Sequence, residues 1–90
     1  MNRIESVFRN GKAFIPFITA GDPNLGTTEK LVLAMSEAGA GLIELGIPFS
    51  DPVAEGAVIQ RADERALASG TTTDRIFEAV NRIRQKTDVP

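Results

Sequence analysis

Two kinds of apolar patterning alternate along the chain. Residues 13–20, AFIPFITA, are almost continuously apolar with β-branched and aromatic members, the pattern of a strand buried on both faces, as parallel sheets require. Pro16 interrupts it: a proline donates no ladder hydrogen bond, so the strand is expected to be irregular or unpaired there. Residues 42–46, LIELG, form a second short run. Elsewhere the apolar positions recur at helical spacing. Ile4, Val7 and Phe8, stopped by Gly11, predict a short helix capping something beneath it. Leu31, Val32, Met35 and Ala38 predict a second, capped by Thr27 or Thr28 and ended by Gly39. Val58, Ile59, Ala62, Ala66 and Leu67 predict a third. Ile76, Phe77, Val80 and Ile83 predict a fourth, introduced by Gly70 and the cap candidates Thr71, Thr72 and Thr73.

Helix, strand, helix, strand, long loop and two helices is an α/β order, and its strand–helix–strand portion implies a right-handed parallel crossover. Residues 87–90, TDVP, read as the approach to a third strand. Two parallel strands leave both sheet edges open and cannot close a barrel. The chain is therefore read as the first two βα units of something larger, within a single domain.

Charge and composition narrow the chemistry. Ten basic and twelve acidic residues are scattered without a run of either sign, which points away from nucleic acid and from anionic lipid. The absence of cysteine and histidine removes disulfides, thiol nucleophiles, imidazole bases and the usual zinc ligands, leaving carboxylates as the main titrating groups. No stretch approaches the ~20 apolar residues of a membrane span and no signal-type apolar segment opens the chain, so the expectation is a cytosolic protein.

In parallel α/β architectures, functional groups gather on the loops at the carboxyl ends of the strands, here residues 20–26 and 46–57. The second loop exceeds the usual ~2–6 residues of a βα connection, a mild functional signal. Glu44 lies inside an apolar strand run, so it points into a barrel-like interior or outward against a helix, and either place is expected to be mostly dry. Such a carboxylate either transfers protons or makes a structural hydrogen bond or ion pair. Glu55 reads first as an exposed acid stabilised by the dipole of the next helix, Asp51 reads equally as a turn former, and Phe17 can face a ligand although core packing is the commoner role of such a phenylalanine.

FIPFITAGDP at 14–23, ELGIPFSDP at 44–52 and EG..IQ at 55–60 together resemble the tryptophan synthase alpha chain family. The resemblance covers essentially the whole chain. It implies a (β/α)8 TIM barrel, of which residues 1–90 form the amino-terminal part, cleaving indole-3-glycerol phosphate to indole and glyceraldehyde 3-phosphate by a retro-aldol lyase step without metal or organic cofactor. Glu44 matches the family's proton-transfer glutamate. Glu55 matches the acid that hydrogen-bonds the indole N–H, although the common pattern there, DPLADGPTIQ, has aspartate. Ala57 and Val58 likewise replace that pattern's proline and threonine. Phe17 and Ile59 match substrate-contacting positions. Pro48, Phe49 and Asp51 match the loop that meets the beta subunit, whose pyridoxal phosphate serves the other half of an alpha2beta2 heterotetramer. The family's phosphate site comes from later strands.

Two other readings carry different expectations. A non-catalytic fragment would self-associate through its open strand edges, and a related phosphate-sugar barrel would run other chemistry on the same fold. The ninety residues alone are expected to be inactive.

Overall fold

The computed structural model describes residues 2–9, 11–50 and 56–90. Helix α1 spans Arg3–Val7, and the Asn2 side chain caps it by accepting from the Glu5 N–H at 2.8 Å. It buries no residue: Ile4 is 56 % exposed and Phe8 50 %. The expected cap over a core is thus reduced to Val7, whose Cγ1 lies so close above Gly41 that an added Cβ would approach it to 2.9 Å.

Strands β1, Phe17–Thr19, and β2, Glu44–Gly46, pair in parallel with Phe17 opposite Glu44, Ile18 opposite Leu45 and Thr19 opposite Gly46. Regular strand starts immediately after Pro16, whose carbonyl accepts from the Glu44 N–H at 3.0 Å while its own ring nitrogen offers no donor. The ladder closes with the Ala20 N–H donating to the Gly46 carbonyl at 2.9 Å. The strand is shorter than its apolar run and is not buried on both faces, since Phe17 is 43 % exposed. On the outer edge of β2, the Ile43 N–H donates to the Pro90 carbonyl at 2.8 Å, the position a further parallel strand takes.

Helix α2, Leu25–Glu37, connects the strands. Its cap is Asn24, whose side chain accepts from the Thr27 N–H at 2.8 Å, rather than either threonine. Thr28 is instead almost fully buried, donating to the Asn24 carbonyl and accepting from the Gly21 N–H at 2.9 Å. Helix α3, Ala57–Ala68, begins at Gly56, which takes φ +95°, and helix α4, Thr73–Arg84, is capped by Thr72. Asp74 in the first turn of α4 and Arg82 and Arg84 in its last complement the helix dipole.

The main core lies between α2 and α4, where Val32, Ile76, Ala79 and Ile83 are buried and Ile43 and Leu45 face them across a small crevice of 60 Å³. Glu29 and Arg82 tie these helices with a two-pronged ion pair at 2.9 and 3.1 Å. A smaller core, Ala20 with Ala62 and Ala66, accompanies the contact of α3 with β1. Several stripe residues fall outside both: Leu31 is 40 %, Phe77 62 % and Val58 76 % exposed, because helical spacing marks a face wider than the one that is covered.

Candidate active site

Strand alternation assigns the faces. Ile43 and Leu45 point toward α2 and α4, so Glu44 between them points away, onto the opposite face of the sheet. Its register partner Phe17 shares that face. The Phe17 ring leans across Gly46, where an added Cβ would collide with its Cζ. A carboxylate and an aromatic ring are thereby set side by side on one surface, with a glycine making room for the ring. Of the two directions left open by the sequence, Glu44 takes the one away from the helices. It is exposed in this chain, which corrects the expectation of a dry setting: among the described residues only two strands form the sheet, and nothing covers this face of Glu44.

Ile59 lies half-buried on α3, in line with the buried stripe Ala62, Asp63 and Ala66. Asp63, only 5 % exposed, escaped sequence reading because a charge within a helix reads as surface. Pro48 is half-buried and Phe49 54 % exposed just beyond β2. Asp51 and Glu55 lie outside the described residues. The structure therefore brings Phe17 and Glu44 together and places Ile59 on the helix that follows the long loop.

The loop after β1 is held by contacts that sequence reasoning missed. Arg65 on α3 grips Asp22 with both prongs, Nε to one carboxylate oxygen at 2.8 Å and a terminal nitrogen to the other at 3.0 Å. These hydrogen bonds hold the Asp22 carboxyl below its ordinary range, against a smaller opposing effect of burial, and raise the Arg65 guanidinium. Ser69 donates to the Gly21 carbonyl at 3.1 Å, and Thr71 crowds Gly21 itself. No local signal could have found a pair 43 positions apart. Gly46 did carry one, as a glycine inside an apolar strand run.

Parallel strands joined by a helix, further helices packed against them and a carboxylate facing away from that layer define the class: an α/β protein laid out as the first βα units of a (β/α)8 barrel. Comparison with known proteins narrows this. The family model described as tryptophan synthase alpha chain matches residues 5–90, and the chain belongs to that family. The tryptophan synthase alpha chain of Citrifermentans bemidjiense is 57 % identical across the whole chain, and that of Petrotoga mobilis 47 %. Among solved structures, tryptophan synthase subunit alpha from Legionella pneumophila superposes with TM-score 0.90 at 44 % identity, covering 99 % of this chain and 36 % of that one. The tryptophan synthase complex from Pyrococcus furiosus gives TM-score 0.81 at 45 % identity, covering 87 % of this chain and 32 % of that one. The chain spans 36 % of the length of the Citrifermentans relative and 35 % of the Petrotoga one. No helix among the described residues is long and apolar enough to cross a membrane.

Proposed function

We propose that this sequence supplies the amino-terminal part of a tryptophan synthase alpha subunit, a single TIM-barrel domain that cleaves indole-3-glycerol phosphate to indole and glyceraldehyde 3-phosphate. The observation that carries the reading is the Phe17–Glu44 register pair on the sheet face turned away from the helices, within a chain that matches the family over residues 5–90. Glu44 is the general acid/base. It moves a proton between the indole C3 and the glycerol hydroxyl. Protonation at C3 turns the ring into an electron sink. Loss of the hydroxyl proton forms the aldehyde as the C–C bond breaks, and the bonding electrons return to the ring. Phe17 supplies a flat apolar wall beside that carboxylate, and Ile59 a second wall from α3.

Glu55 is the acid that hydrogen-bonds the indole N–H and balances charge as the ring tautomerises. None of these proton transfers calls on a metal or organic cofactor, and pyridoxal phosphate belongs to the beta subunit. Pro48, Phe49 and Asp51 meet that partner in an alpha2beta2 heterotetramer in the cytoplasm. Support for this assembly comes from a relative, the tryptophan synthase of Pyrococcus furiosus, which forms an a2b2 complex with mutual activation. In a full-length subunit carrying this sequence, Glu44→Gln is expected to lower turnover by roughly 100- to 10,000-fold, the worth of a general acid/base. Indole release at a near-normal rate would remove Glu44 from this role.

A further inference from the structure

We propose that the Asp22–Arg65 ion pair is a positioning device for the substrate pocket, an inference that rests on the function proposed above. Helix α3 packs on β1 rather than on the strand that precedes it in sequence. It does so through small residues, Ala62 and Ala66, which give close approach but little shape to fix a rotation or a slide along the sheet. Direction comes from the polar clamp. The planar guanidinium of Arg65 meets the Asp22 carboxylate at 2.8 and 3.0 Å, which fixes angle as well as distance. Asp22 is itself anchored, since its neighbour Gly21 donates to Thr28 at 2.9 Å and accepts from Ser69 at 3.1 Å.

Arg65 lies six residues along the same helix from Ile59, the α3 residue that walls the proposed pocket. A helix transmits a change of pose along its whole length, so a slip at Arg65 displaces Ile59. The chain contains its own control. Glu29 and Arg82 form an ion pair of nearly the same geometry, 2.9 and 3.1 Å, but they join α2 to α4 instead of α3 to the loop after β1.

The test measures indole release from indole-3-glycerol phosphate by the full-length subunit and its Arg65→Ala, Arg65→Lys and Arg82→Ala variants, with thermal unfolding of each. Arg65→Ala is expected to raise KM about 10-fold, the scale of a misfitted apolar pocket wall, with kcat within about threefold. Arg65→Lys keeps the charge, loses the fork and is expected to raise KM as well. Arg82→Ala lowers the unfolding temperature and leaves KM alone. The swapped pair Asp22→Arg with Arg65→Asp is expected to bring KM back toward wild type. An unchanged KM in Arg65→Ala, or in Arg65→Lys should the alanine variant not fold, overturns the proposal. Equilibrium titration with indole separates the two readings: a wild type that cleaves nothing removes the activity, while weaker indole binding by Arg65→Lys still supports positioning and equal binding refutes it.

Discussion

Gly21→Ala tests most sharply how the turn after β1 is held against the end of α3. Gly21 is buried and takes φ +92°, where a side chain is strained in any surroundings. A non-glycine residue held there costs about 1–3 kcal/mol. The space is also taken: an ideal Cβ would collide with the Thr71 Oγ1 and lie 2.8 Å from both its Cβ and Cγ2. Thr71 cannot swing aside freely, being 6 % exposed with its hydroxyl 3.2 Å from the Ser69 hydroxyl. Overpacking of this kind adds about 1–3 kcal/mol. The smaller entropy of an unfolded chain with alanine returns only about 0.4–1 kcal/mol. The net loss is therefore about 1–6 kcal/mol, a large part of the ~5–15 kcal/mol that holds a typical domain. Urea unfolding of the full-length subunit reads it directly. Adding Thr71→Ala removes Oγ1 and Cγ2 but leaves the Cβ of residue 71 at 2.8 Å and the backbone strain, so the double variant should show a favourable coupling of about 0.5–3 kcal/mol and still fall short of wild type. A Gly21→Ala variant within about 0.5 kcal/mol of wild type, the range of an ordinary surface change, would refute the reasoning.

The depressed carboxyl of Asp22 sets a pH dependence. A group whose folded value is lowered adds stability above its unfolded value, about 3.9 for aspartate, and loses it as pH falls through the folded one. The stability gap between wild type and Asp22→Asn should accordingly be present at neutral pH and narrow below about pH 4; a gap of constant size in urea titrations at both pH values would contradict the assignment. Ile76, 3 % exposed between α2 and α4, should lose about 2–5 kcal/mol on truncation to alanine, measured by the same unfolding. A loss below that range would mean the two helices pack less closely than described.

The α/β order and the four helices among the described residues were legible because periodicity and glycine stops are local signals. Boundaries were less so. Asn24 and Thr28 both have cap chemistry, and only the approach of Gly21 to Thr28 decides that the threonine turns inward and leaves the cap to asparagine. Val58 and Phe77 have core composition, yet their exposure depends on what packs against their helices, which the sequence of those helices does not contain. Glu44 was legible as an acid among apolar neighbours, but its direction required Ile43 and Leu45 to be located against α2 and α4. The family resemblance supplied the roles of Phe17 and Ile59, which periodicity would have left in the core. Asp22 and Arg65 stayed invisible, because a long-range ion pair has no counterpart in either period.

Docking α3 on β1 has a consequence for how this scaffold can change. The segment between β2 and α3 leaves Gly46, whose carbonyl is held by Ala20, and arrives at a helix tied to Asp22. Both moorings thus belong to the first strand and the turn after it, and neither relies on the segment between them. Replacements at the head of α3, such as Ala57 and Val58, therefore lie about two turns from the grip of Arg65 on Asp22, and the helix keeps its berth while they change.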